Sequence, residues 1–224
     1  MRPPMLSVVI PALNEERSVA HAVASVRGLA EVIVVDGGSE DATAEAARRA
    51  GARVVASPRG RGLQLDRGAR EATGDWLVFL HADTRLEDGW AQALFSLPSE
   101  VVGGAFRLAV DSPRRAYRLI EAGVALRCRL FRLPFGDQGI FVRRAIYGII
   151  GGFPPLPLME DLAFSQRLGR AGRMAFPAVR AFTSARRWEE GGVVATTVRN
   201  LGLQALYAAG LPPDRLARLY GDHA

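Results

Sequence analysis

A histidine and an aspartate stand two residues apart in "VFLHADT", where the apolar run Trp76-Leu77-Val78-Phe79-Leu80 gives way to His81, Ala82 and Asp83. Such a pair can hold a metal ion or a phosphate. It can equally be a strand end dipping into solvent, with Asp83 capping the next helix. Three other apolar runs end in the same way. Leu6 to Ile10 is followed by "PALNEE", with Pro11, Asn14 and Glu15. Glu31 to Val35 is followed by Asp36-Gly37-Gly38-Ser39, and "ARVVAS" by Arg59-Gly60-Arg61. The first loop lacks the glycines that let a backbone approach pyrophosphate, and its carboxylates would repel phosphate. It suits a base or ribose, with Glu15 accepting hydrogen bonds from hydroxyls. Asp36 can meet a base edge or ribose, and Gly37 either permits close approach or forms a simple tight turn.

Those side chains converge only if the apolar runs are parallel strands of one sheet. Helical stretches lie between them: Asn14 to Gly28, an alanine-rich segment capped by Ser39 or Asp41 and ending at Gly51, and one reaching Ala72. Alternating strand and helix predicts a mostly parallel sheet covered on both faces. Ligands in such sheets bind at the carboxyl ends of the strands. The alternation loosens after Gly103. "GGAFRLAV" reads as a strand, Pro113 to Arg132 as a helix and "GIFVRR" as a short strand. Glu160 to Arg170 reads as a helix stopped by Gly172, and Gly192 to Tyr220 as a helical tail broken at "GLPPD". Taken alone, Glu160 and Asp161 at that helix start are caps and dipole partners. No linker divides the 224 residues, so one domain is expected over 1–224.

Composition narrows the chemistry. All 29 basic residues are arginine, and the net charge is +6. Without lysine there is no Walker-type phosphate loop, no Schiff base and no lysine nucleophile. The arginine excess fits a phosphate-bearing small molecule, nucleic acid or an anionic membrane, although a GC-rich genome explains it equally well. One cysteine, Cys128, and three scattered histidines exclude a disulfide framework and a structural zinc site. The N-terminal run reads as a strand and not a signal peptide, and no segment reaches the roughly 20 apolar residues of a spanning helix. The chain is expected in the cytoplasm, with peripheral contact on the inner membrane face as an option.

In order and spacing, "SVVIPALNEE", "VIVVDGGSEDAT", "GDWLVFLHADT", "GDQGIFVRR", "MEDLAFSQRL" and "RRW" resemble the family 2 glycosyltransferases of the GT-A fold. The resemblance covers roughly positions 6 to 188. It implies inverting transfer of a sugar from a nucleoside diphosphate donor to an acceptor hydroxyl, usually with Mn2+ or Mg2+. Donor contacts would come from Pro11, Asn14, Glu15, Asp36, Gly37, Ser39, Arg61, His81, Ala82, Asp83 and Arg187. Asp83 matches the second carboxylate of the family's D-x-D metal motif. His81 replaces the first, and imidazole suits manganese better than magnesium. Asp161 matches the general base, with Glu160 beside it. Arg187 and Trp188 match the end of a Q-x-x-R-W motif whose glutamine is here Ser184. The arginine would face the diphosphate and the indole the acceptor. Asp137 and Gln138 fall on the acceptor side.

The resemblance divides the chain into a donor half (about 1–100), an acceptor half (about 101–190) and a helical tail (about 191–224). Bacterial relatives with "FLHADT" and "GDQG" suggest an arsenosugar-type small-molecule acceptor; a lipid-linked acceptor is the other option. No nucleic-acid partner is expected, and the oligomeric state is open. Two rivals remain: a sugar-nucleotide-binding protein without activity, and a nucleotidyltransferase with a related sheet. Retention of Asp83 and Asp161 speaks against the first, and "PALNEE" against the second. The basic stretch 113–135 is read as a core-packing helix with a solvated arginine face. Its alternative is a basic amphipathic helix on an anionic membrane.

Overall fold

The computed structural model describes residues 5–220. In chain order the elements are β1 (Leu6–Ala12), α1 (Val19–Val26), β2 (Glu31–Asp36), α2 (Thr43–Arg49), β3 (Arg53–Ala56), α3 (Arg61–Glu71), β4 (Trp76–Phe79), β5 (Thr84–Leu86) and α4 (Trp90–Phe95). There follow β6 (Val101–Ala105), β7 (Arg107–Val110), α5 (Ala116–Phe131), a 3-10 turn (Gly136–Gln138), β8 (Ile140–Arg143), α6 (Arg144–Ile149) and α7 (Glu160–Ala171). The chain continues with β9 (Arg173–Ala175), β10 (Arg180–Thr183), α8 (Arg186–Gly191), α9 (Val193–Ala208) and α10 (Pro213–Tyr220).

A seven-stranded sheet has the order β3-β2-β1-β4-β8-β6-β9, and a three-stranded sheet the order β5-β10-β7. In the larger sheet only β8 runs antiparallel, to β4 and β6. All seven residues of β1 are buried, because β1 lies inside the sheet with helices over both faces. Period-two alternation sorts its side chains. Leu6, Val8 and Ile10 pack with Val23 of α1 and Trp90 of α4. Val9 packs on the other face with Leu65 of α3 and Phe164 of α7. The mostly parallel sheet with helices on both faces and the C-terminal helices agree with the expected GT-A-like class.

Several elements differ from the sequence expectation. The first helix begins at Val19 and not near Asn14. Asn14 has a left-handed backbone, φ 53°; its N–H donates to Ser39 Oγ and its Oδ1 accepts from the Glu40 N–H. Those bonds hold residues 14–18 in a turned loop beside β2. The expected strand through 103–110 breaks at Phe106, which is fully buried and donates its N–H to the Gln138 carbonyl. β6 therefore stays in the large sheet while β7 joins the small one. Asp83 caps no helix, since β5 follows it directly. Asp41, not Ser39, accepts from the first N–H of α2, at Thr43. The tail helices stand where expected, and positions 221–224 lie outside the described residues.

Candidate active site

Parallel pairing puts the carboxyl ends of β1, β2 and β3 on one rim. Asp36 closes β2 half-buried and accepts from both the N–H and the hydroxyl of Ser39. The buried amide of Gln64, on α3, donates to the carbonyls of Ala12 and Val35 and ties the two strand ends together. Gly37 lies against that amide: a Cβ there would stand 3.0 Å from Gln64. Pro11 is buried in β1 opposite Val35. Glu15 is held from three sides. Its N–H donates to Thr43 Oγ1, Ser18 donates to its carboxylate, and Arg186 pairs with it at 2.7 Å.

β4 ends in the turn His81–Thr84, closed by the Thr84 N–H to the His81 carbonyl at 3.1 Å. Ala82 is buried beneath this turn. The Ser184 N–H donates to the Asp83 carbonyl, anchoring the end of β10 beside it. Burial keeps His81 well below its ordinary pKa, and Arg61 and Arg187 add to that, so its imidazole is neutral at pH 7. Its Nε2 is buried without a hydrogen-bond partner. Gly136 permits this packing, since a Cβ there would lie 2.4 Å from Nε2. Burial raises the Asp83 pKa, and Arg187 opposes it.

Met159 precedes α7 in a left-handed backbone, φ 65°, uncommon for a residue with a side chain. It turns Glu160 and Asp161 into the first turn of the helix. Glu160 is buried and contacts Arg61 at 3.3 Å, an ion pair without hydrogen-bond geometry. Burial raises its pKa and Arg61 works against that. Gly62 makes the approach possible, because a Cβ there would lie 2.2 Å from the Pro154 carbonyl oxygen. Asp161 points elsewhere. Its Oδ2 accepts from the Gly136 N–H at 3.0 Å and its Oδ1 from the Leu162 N–H at 2.7 Å.

These groups enclose a cavity of about 150 Å³ lined by Arg61, His81, Asp83, Asp137, Glu160, Asp161, Arg187 and Trp188, and roofed by Asn200 and Gln204 of α9 and Tyr220 of α10. Six buried side-chain polar atoms lack a hydrogen-bond partner among the described residues. Four of them, on His81, Asp137, Glu160 and Trp188, belong to this cavity. Buried polar groups are normally satisfied, so such a concentration marks a place built to receive polar ligand groups. Burial lifts Asp137 to about 6, with Arg127 opposing and the carboxylates of Asp161 and Asp83 adding to it. Asp83 and Ser184 also line a wider groove of about 640 Å³, with Arg17, His21, Arg186 and Glu189.

One expected contact is corrected. Gln138 is buried away from the cavity: its Nε2 donates to the Phe106 carbonyl, and its Oε1 accepts from Arg127 and the Phe135 N–H. Its amide builds the turn that presents Asp137. Arg186 and the α9 side chains were not singled out in the sequence, and Ser184 only as the replacement of a motif glutamine. The Arg186–Glu15 pair spans 171 residues, and no local pattern announces it.

Among the described residues no three His, Cys, Asp or Glu side chains cluster as a metal site. The donor set still fits a cation shared with a bound phosphate. Asp83 offers a carboxylate, His81 a neutral ring nitrogen without a partner, and hard cations at such sites complete their shell from phosphates and water.

The chain is similar to curated proteins named PGL/p-HBAD biosynthesis glycosyltransferase from Mycobacterium bovis and Mycobacterium tuberculosis, each 31% identical over 171 residues. The match covers 68% of this chain, and the chain spans 64% of the length of those relatives. A solved structure described as a mycobacterial protein is 25% identical with a TM-score of 0.56, over 81% of this chain and 66% of that one. Glucosyl-3-phosphoglycerate synthase from Mycobacterium tuberculosis, solved with Mg2+ and uridine diphosphate, shares the fold at a TM-score of 0.63 and 22% identity, over 93% of this chain and 80% of that one. The family model described as glycosyl transferase family 2 matches residues 7–146, more than half of the sequence, and the chain belongs to that family.

Proposed function

We propose that this chain transfers a sugar from a nucleoside diphosphate sugar to an acceptor hydroxyl with inversion, as a single catalytic domain. The observation that carries the reading is the cavity whose unpartnered polar atoms lie beside Asp83 and Asp161. The nucleotide is assigned to the open rim of Pro11, Asn14, Glu15, Asp36, Gly37 and Ser39, with Arg61 and Ala82 behind it. Asp83, with His81, would hold Mn2+ or Mg2+, which neutralises charge on the diphosphate when bound.

The acceptor hydroxyl would give its proton to Asp161 as its oxygen attacks the anomeric carbon. The bond from that carbon to the diphosphate oxygen breaks, and the leaving group takes the electron pair. Two backbone N–H groups fix the Asp161 carboxylate and leave lone pairs free for the hydroxyl. Arg187 would face the leaving phosphate, while Asp137 and Trp188 bind the acceptor. Glu160 neutralises Arg61 and supports its neighbour. The acceptor is a small polyhydroxylated molecule, of the arsenosugar kind, or a lipid-linked hydroxyl.

The test is thermal melting against a panel of nucleoside diphosphate sugars, with and without manganese. A ligand at 100 times its dissociation constant stabilises by about 2.7 kcal/mol. One donor should raise the melting temperature only with metal present, and nucleotide release should follow when acceptor is added. No shift from any nucleoside diphosphate would remove the reading. Binding without turnover on any acceptor would favour a sugar-nucleotide-binding protein.

A further inference from the structure

The basic helix α5 does not bury its leucines. Tyr117 and Cys128 pack inward as the core-packing reading expected, but Leu119, Leu126, Leu130 and Phe131 are 56–78% exposed. Helical periodicity gathers Leu119, Gly123, Leu126 and Leu130 into one outward stripe, with Arg115, Arg118 and Arg129 along its flank. Among the described residues most of this positive charge is uncompensated. Arg115, Arg129 and Arg132 are exposed and make no ion pair with any described carboxylate. Glu121, the only acidic residue of α5, is turned to Arg118 and the Val110 N–H. A second outward apolar face lies on α9. There Val194, Val198 and Leu201 are 57–76% exposed, and Ala205 extends the face. The two helices meet near their starts, where Tyr117 and Ile120 of α5 pack with Trp188 and Val193.

We infer that the outward faces of α5 and α9 seat this protein on an anionic membrane surface, the leucine and valine stripes entering the headgroup boundary and the arginines meeting lipid phosphates. Apolar faces this continuous are uncommon on free surfaces. Apolar residues beside an arginine flank match an interfacial helix on anionic lipid. A two-fold contact that pairs α5 antiparallel with its copy would instead set arginines against arginines. The opposite face of α9, through Thr196, Asn200 and Gln204, lines the cavity assigned to the acceptor. Seating α9 on lipid therefore sets that cavity about 10 Å, one helix diameter, from the membrane. If the proposed transfer holds, on which this last step rests, the acceptor is an amphiphile whose hydroxyl stands at the lipid surface.

The test is co-sedimentation of the whole chain with phosphatidylcholine vesicles, alone or mixed with phosphatidylglycerol. Binding should require the anionic lipid and weaken with salt. Arg115→Gln and Arg129→Gln should each lower partitioning about fivefold, the equivalent of about 1 kcal/mol per basic residue. Leu126→Glu with Val198→Glu should abolish it. All four side chains are exposed, so far-UV circular dichroism and melting should be unchanged. Equal binding to both vesicle types, or undiminished binding of the double glutamate variant, would overturn the proposal. So would a wild-type dimer that ignores vesicles and becomes monomeric in that variant, which would make the face a self-interface. Manganese-dependent nucleotide binding, measured on the same variants, should be unaffected. Vesicle binding without any nucleotide binding would support this surface and sink the transfer reading alone.

Discussion

The rim proposed for the donor and the cavity proposed for the acceptor use polar residues in opposite ways. On the rim, Asn14, Glu15, Asp36 and Ser39 are already bonded to one another or to Thr43 and Arg186, and they stand partly in solvent. In the cavity, His81, Asp137, Glu160 and Trp188 each carry a buried polar atom without a hydrogen-bond partner. A self-satisfied rim holds its shape without ligand and adds contacts at little cost. A cavity with unpartnered buried groups gains most when a ligand satisfies them. Recognition of a nucleotide suits the first arrangement, and chemistry on a hydroxyl suits the second.

The largest effect should come from the cavity. Asp161→Asn keeps the size of the side chain and an acceptor oxygen for Gly136, but it cannot take a proton. Initial transfer rates should fall about 10²- to 10⁴-fold with donor affinity unchanged. Glu160→Gln should be milder, because Glu160 faces Arg61. Near-normal transfer by Asp161→Asn with severe loss in Glu160→Gln would move the base by one residue. On the rim, Asp36→Ala removes one charged hydrogen-bond acceptor and should weaken nucleoside diphosphate by about 1.5–3 kcal/mol in calorimetric titration. Free nucleotide and full donor should suffer alike; loss confined to the sugar-bearing donor would take Asp36 off the nucleotide.

The smallest effect is on stability. Burial lifts Asp137 to about 6, so its ionised form burdens the fold. The stability it contributes is present below the unfolded carboxylate pKa near about 4 and is lost as pH rises through about 6. Asp137→Asn should therefore melt higher than the parent above that pH, with the margin closing between about 6 and about 4. A margin independent of pH would mean that Asp137 is not a strained buried charge.

The same contrast decides what the sequence could reveal. β1 to β4 were legible because apolar runs with polar ends alternate with helices, and the rim residues follow from where those runs stop. Asp83, Asp161 and Arg187 were legible through short motifs. The cavity's depth was not, because it depends on contacts between distant segments: Gly136 against His81, Gly62 against Pro154, Arg61 against Glu160. Gln138 looked like a site residue because "GDQG" resembles the family's acceptor side, yet a 3-10 turn points Asp137 and Gln138 to different surroundings. The break at Phe106 was invisible for a similar reason, since "GGAFRLAV" has the pattern of one strand and only the second sheet divides it. The leucines of α5 follow helical spacing, which does not say whether they face a core or the outside.

The division of roles proposed for Asp83 and Asp161, which line the same cavity, is tested most directly by calorimetric titration of nucleoside diphosphate, with and without manganese, into wild type, Asp83→Ala and Asp161→Asn. Manganese should strengthen binding to wild type and to Asp161→Asn equally, and should do nothing for Asp83→Ala while its melting curve stays native-like. Metal-dependent binding that survives in Asp83→Ala, or disappears in Asp161→Asn, would contradict the account.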